Sequence, residues 1–277
     1  MPRWKMSMSR LFKMIKIERL SFVWKQMKIQ LRMRALTAFS VILYLAQPAI
    51  FSTVGYFLAR TAGHPAPDLV HTVIGSGIMG VWSTVLFTSF YDLLADRREG
   101  VLELIVGSPT SLFTVLTIRT FTNVLTGTIS LVLSIAATIL IFNFLPPAQN
   151  IPVVLISLGI LLLSFWCMGI FIVHLQAVSR ITGFLVNYLE LPVTILAGFM
   201  FPPELLPGWA RWITAILPMS WAVRSLNLSF QPGTALSVLW MYWSVALGVS
   251  ALFLVITLFM SRRVHNMIRV NGELGAI

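Results

Sequence analysis

Long apolar runs alternate with short polar stretches along most of this chain. A helix needs about 20 mostly apolar residues to cross a bilayer. The pattern therefore predicts an all-α integral membrane protein with six transmembrane helices. The six segments are Ala35–Ala59, Leu69–Leu94, Leu112–Leu145, Ile151–Val178, Ile181–Phe201 and Leu236–Met260.

The segment at 201–231, before the last span, breaks this pattern. It holds four prolines and three tryptophans, and its apolar pieces are too short to cross a bilayer. Apolar pieces of about 10–14 residues often mark re-entrant or interfacial segments, and tryptophan favours the headgroup level. We therefore predict short re-entrant helices in the outer leaflet.

The amino-terminal residues 1–34 have a different periodicity. From Leu20 to Leu31, apolar side chains recur at helical spacing with basic side chains beside them. A basic amphipathic helix of this kind lies in the plane of the membrane interface. The predicted organisation is thus this interface helix, a transmembrane domain at 35–261 and a tail at 262–277.

Composition and charge agree with a membrane protein and orient it. The chain is 57% hydrophobic and 10% charged, whereas soluble domains are about 45–50% apolar and roughly 25% charged. With the amino terminus inside, 16 of the 20 Lys and Arg residues are cytoplasmic and three are external. The positive-inside rule then places both termini in the cytoplasm, and we expect the inner (plasma) membrane. The net charge of +11 suits anionic lipid rather than nucleic acid.

The sequence contains no motif that indicates nucleotide or metal binding. It has no phosphate-binding loop and no metal-ligand spacing among its histidines, so we expect no catalytic residue, cofactor or metal in this chain. The single cysteine, Cys167, excludes an intrachain disulfide. The glycines of Gly75–Gly80 lie inside an apolar span, where Ser76 and Gly80 indicate close helix packing.

Glu190 is the main ionisable candidate within a span. It lies about nine residues into the fifth span, roughly 14 Å deep, where a carboxylate must face the bundle interior or water. It is either a paired structural acid or a group that contacts substrate or couples an ion. Translocation-path candidates are Asn187, Glu190, Phe201, Trp209 and Trp212.

A concentrated charge cluster follows the second span at 96–109, "DRREGVLELIVGSP". Helix-forming residues predict a cytoplasmic helix from Asp92 to Leu104, ended by Gly107-Ser108-Pro109. Glu99 and Glu103 are four residues apart on one face. Such a like-charged pair suggests a basic or hydrogen-bond-donating surface opposite it.

Two motifs carry a family resemblance. The order R-R-E-G-x-L-E-L-I-x-x-S-P, from Arg97 to Pro109, resembles the E-x-G-T-x-E-x-L-x-x-S-P signature of type-2 permeases of ATP-binding-cassette exporters. The stretch Gly198–Leu226 resembles that family's G-x-x-F-P-x-x-x-L-P-x-W block on the outer side. Val101 departs from the family's usual threonine.

The resemblance implies the membrane half of an exporter. The Trp-, Phe-, Met- and Pro-rich segment at 201–231 suits an amphipathic substrate, such as a drug, an antibiotic or a lipid-linked glycan. ATP and Mg would bind a separate cytoplasmic ATPase, and a second permease copy would complete the unit, a homodimer being favoured over a heterodimer. The segment at 96–109 would be the coupling helix that contacts the ATPase. Its implied contact residues are Arg97, Arg98, Glu99, Gly100, Glu103 and Leu104.

Two other functions remain open at this stage. An ion-coupled secondary transporter would centre on Glu190 and move substrate without an ATPase. A non-transporting membrane anchor would bind a cytoplasmic partner without any flux.

Overall fold

The structure is a computed structural model of the 277-residue chain. It describes residues 24–25, 27–29, 49–51, 53–54, 57, 61, 66–101, 104–105, 111–142, 150–178, 182–199 and 203–271, and all regular structure among them is helical. The main helices, in chain order, are α1 (Ala66–Ser83), α2 (Ser89–Arg98), α3 (Leu112–Phe142), α4 (Ile151–Val178), α5 (Thr182–Leu196), α6 (Gly208–Ile216), α7 (Pro218–Ser229) and α8 (Leu236–Asn271).

Four stretches of these helices are long and apolar enough to cross a bilayer. They match the second, third, fourth and sixth predicted spans, and they are Val70–Arg98, Leu112–Ala137, Ile151–Ala177 and Leu236–Ser261. In the fifth predicted span, α5 is 15 residues long and contains Pro192. Most of the first predicted span, Ala35–Ala59, lies outside the described residues.

The second span forms the centre of the bundle. In its most apolar window 89% of the residues are buried, against 17% in the last span. The helix contains a π-helical segment, Thr84–Thr88, that joins α1 to α2. Such π segments are rare in proteins, and those that occur are often at functional sites.

Helix α1 packs closely on α3, which confirms the close helix packing predicted for the glycine-rich run. A Cβ atom on Gly77 would stand 2.8 Å from the Cα atom of Leu131, and one on Gly127 would stand 3.1 Å from the Cα atom of Val81. The Ser76 and Ser134 hydroxyls are 2.7 Å apart. Small residues on both helices therefore bring the two backbones together.

The predicted continuous helix from Asp92 to Leu104 is wrong. Helix α2 ends at Arg98, Glu99 caps it, and Gly100 adopts a φ of 69°. A glycine with positive φ just after the cap is a common helix stop, because it has no Cβ to clash in the left-handed region. Glu99 is therefore at the end of a helix and not inside one that continues to Leu104.

Short helices occupy the segment between α5 and α8. A 3₁₀ turn at Pro203–Leu205 precedes α6, and Leu217 in an extended conformation separates α6 from α7. Pro218 begins α7, where its fixed φ suits the first helical turn. Proline placement thus divides this segment into pieces too short to cross a bilayer.

Candidate functional site

Arg97 binds the end of α4. Its guanidinium Nη2 donates hydrogen bonds to the backbone carbonyls of Gln176 and Ala177, both at 2.9 Å. These carbonyls lie in the last turn of α4, which ends at Val178 and whose final carbonyls have no partner within the helix. Arg97, predicted as an ATPase contact, thus attaches the charged turn to the fourth span.

Asp96 binds the third span. Its carboxylate accepts a hydrogen bond from the Arg119 guanidinium in an ion pair. The Asp96 and Arg119 side chains are 11% and 16% exposed, so the pair is largely withdrawn from solvent. Two consecutive residues of α2 therefore fix its end to α3 and to α4.

The remaining predicted contact residues lie at the turn and beyond it. Arg98 and Glu99 are exposed, and Leu104 is 73% exposed. Gly100 makes the turn, and Ile105 packs on the buried residues Leu93, Leu112, Leu116 and Val173. Glu103 lies outside the described residues.

The side chains at and after the turn differ in exposure and in chemistry. Arg98 and Glu99 present charge, Leu104 presents an apolar side chain, and Ile105 fixes the segment to the bundle. The exposed part of the turn therefore carries charged and apolar side chains together.

Glu190 contacts the second span. Ser83, which is fully buried, donates its hydroxyl to the Glu190 carboxylate. Thr194 donates to the Glu190 backbone carbonyl at 2.7 Å. Ser83 directly precedes the π segment Thr84–Thr88, so the carboxylate lies at the irregular part of the central helix.

Two of the other translocation-path candidates lie on a different helix from Glu190. Trp209 and Trp212 lie on α6 and are 69% and 79% exposed, which suits indoles at the headgroup level. Asn187 belongs to α5, but its side chain is outside the described residues, as is Phe201. Their roles along a path stay predictions.

Arg119 is the residue that sequence reasoning missed. It lies seven residues after the start of α3, and a charge at that depth requires an opposite charge nearby. This rule predicts an acidic partner on a neighbouring span. Asp96, at the end of the second span, is the acid that pairs with it.

These features define a polytopic helical membrane protein whose central span ends in a charged, exposed turn. The ABC-2 type transporter family matches residues 19–230. The chain therefore belongs to the ABC-2 type transporters, as the permease subunit of an ABC transporter, and permeases of this family pair with an ATP-binding cassette subunit. No curated protein sequence matches the chain significantly.

Proposed function

We propose that this chain is the permease of an ATP-driven exporter, with six spans and both termini in the cytoplasm of the inner membrane. Two identical copies pair with two ATPase subunits, which bind ATP and Mg. The cargo is an amphipathic molecule, in keeping with the Trp- and Pro-rich segment at 201–231.

The observation that carries this proposal is the double attachment of the exposed turn. Asp96 holds it to α3 through Arg119, and Arg97 holds it to α4 through two backbone carbonyls. A displacement applied at Arg98 and Glu99 is therefore passed to three spans at once. Packed helices respond to such a push by switching between discrete arrangements.

ATP drives the cycle only if it favours one arrangement over the other. A ligand shifts a conformational equilibrium by its differential affinity for the two states. In this proposal, closure of the ATPase dimer moves the turn, and the turn moves α2, α3 and α4. The proposal assigns nucleotide binding to the ATPase subunits and not to this chain.

The proposal is tested by co-expressing the chain with a tagged ATPase encoded beside it. We expect a complex that co-purifies, hydrolyses ATP and contains two differently tagged copies of this chain. ATP-dependent uptake into inside-out vesicles would establish export. Transport that needs no ATPase and collapses with a proton or sodium gradient would instead establish a secondary transporter centred on Glu190. Partner binding without flux would establish a membrane anchor.

A further inference from the structure

A cavity of about 240 Å³ lies among α1, α7, α8 and the 3₁₀ turn at Pro203–Leu205. His71 lines it, 26 residues before Arg97 on the continuous second span. At 1.5 Å per residue this separation is about 39 Å, so the cavity lies at the end of the bundle remote from the charged turn. The polar residues of its wall are His71, Glu204, Arg224, Asn227, Gln231 and Tyr242.

The wall contains unused hydrogen-bonding capacity. Nε of Arg224 and both polar side-chain atoms of Asn227 are buried, with no hydrogen-bond partner among the described residues. Leaving such groups unpaired is unfavourable, so a ligand that pairs with them gains binding energy. Arg224 and Asn227 are three residues apart on α7 and therefore share one face of that helix.

Arg224 is more enclosed than its ionic partner. The guanidinium lies 5.7 Å from the centre of the Trp221 ring, and its Nη2 atom is 3.1 Å from the Glu204 carboxylate. The Glu204 side chain is 65% exposed, against 26% for Arg224. An anion that enters the cavity can therefore replace Glu204, which returns to solvent at low cost.

The opposite wall is also fixed. Nε2 of His71 is 3.2 Å from the Gly198 carbonyl oxygen, and Gly198 has a φ of 73°. A cavity of this size with several polar groups in its wall holds several waters or a small ligand. The binding groups are thus arranged before any ligand arrives.

We infer that this cavity binds a phosphate-bearing polar group. Arg224 and the Asn227 amide nitrogen supply donors to the phosphate oxygens, and the Asn227 carbonyl accepts from a hydroxyl on the phosphate or beside it. The planar guanidinium of an arginine fits phosphate geometry. Without a ligand, Arg224 pairs with Glu204. The phosphate belongs either to a lipid headgroup or to a soluble molecule. The location on the outer side of the membrane rests on the proposed function, whereas binding itself does not.

The test uses the purified full chain in detergent, without an ATPase. Inorganic phosphate and glycerol phosphate are titrated by calorimetry against chloride at matched ionic strength. Asn227→Leu and Arg224→Lys should each weaken phosphate binding about tenfold or more. Glu204→Gln should tighten it, because the competing carboxylate becomes neutral.

The variants are expected to change phosphate affinity in opposite directions, so the test is decisive even where one variant folds poorly. Tighter binding by Glu204→Gln, in a protein with an unchanged melting temperature, supports the inference. No phosphate binding by the wild type, or equal binding by all variants, overturns it. ATP-driven transport by a chain that binds no phosphate would overturn this inference alone and leave the proposed function intact.

Lipid nanodiscs then identify the source of the phosphate. If a phospholipid headgroup occupies the cavity, inorganic phosphate binds more weakly in discs of phosphatidylcholine, which has no net charge, than in discs of a neutral glycolipid. Equal affinity in both discs assigns the site to a soluble phosphate compound. Both results retain phosphate as the ligand.

Discussion

The Arg119 guanidinium pairs with the Asp96 carboxylate, so that a charge inside the third span meets the acid at the end of the second. The next residue, Arg97, donates to two carbonyls at the end of the fourth span. The charged turn that follows is consequently a rigid extension of three helices. This arrangement suits a segment that must transmit force.

Asp96→Asn should destabilise the protein, because it leaves the Arg119 guanidinium without an anionic partner. Removing one member of a buried pair costs about 3–5 kcal/mol, and we expect about 2–3 kcal/mol here because both side chains keep some solvent contact. The melting temperature of the purified chain measures the loss. Arg98→Gln, at the exposed neighbour, should change stability by less than about 0.5 kcal/mol.

The double variant Asp96→Leu with Arg119→Met sharpens this test. Replacing a whole buried pair by apolar residues is often neutral, so the double variant should be more stable than Asp96→Asn alone. A double variant that loses as much stability as the sum of its single changes would show that the two residues do not act as a pair.

Gly77→Ala should weaken the packing of α1 on α3. The new methyl group would stand 2.8 Å from the Leu131 Cα atom, which cannot move without its helix. Overpacking of this kind costs about 1–3 kcal/mol. Gly159→Ala is the matched control, because a Cβ atom there meets nothing within 4 Å and should be neutral or stabilising. Equal melting temperatures for the two variants would contradict the close approach.

Much of the helical framework was predictable from apolar run length. The helices α3, α4 and α8 begin at the predicted residues Leu112, Ile151 and Leu236. Helix α8 continues to Asn271, well past the predicted end of its span at Met260. Hydropathy detects the part of a helix that suits lipid and cannot detect its polar continuation.

The contacts between spans were less predictable. The pairing of Ser83 with Glu190 joins residues 107 positions apart, and no local pattern specifies it. The helix stop at Gly100 could have been predicted, since a glycine two residues after Arg98 matches the usual end of a helix. The helix-forming composition around it outweighed that signal.

Glu190→Gln should preserve ATP-driven transport within about twofold, since the amide oxygen still accepts the Ser83 hydroxyl. Glu190→Leu removes the acceptor and should lower stability by about 0.5–1.5 kcal/mol, because the hydrogen bond from the fully buried Ser83 hydroxyl to the carboxylate is lost. Transport assays and melting curves on the same preparations separate the two effects. Loss of transport in a stable Glu190→Gln protein would indicate that the Glu190 carboxyl group takes part in coupling.

Gly100→Ala tests the turn itself. An alanine at a φ of 69° costs about 1–2 kcal/mol in backbone strain, and no neighbouring atom crowds it. Gly233→Ala is a close match, with a φ of 79° and equally open surroundings. We expect similar melting temperatures, with stimulation of the ATPase reduced only by Gly100→Ala. Equal ATPase stimulation in both variants would show that the turn at Gly100 does not take part in coupling.

The most direct test of the account is the affinity of the ATPase subunit for Glu99→Lys in nanodiscs. Glu99 is exposed beside the turn, so reversing its charge should leave insertion and melting temperature unchanged. Binding of the ATPase should weaken about tenfold or more, with an intermediate effect for Glu99→Gln. If Glu99→Lys binds the ATPase and stimulates hydrolysis as the wild type does, the charged turn is not the coupling contact.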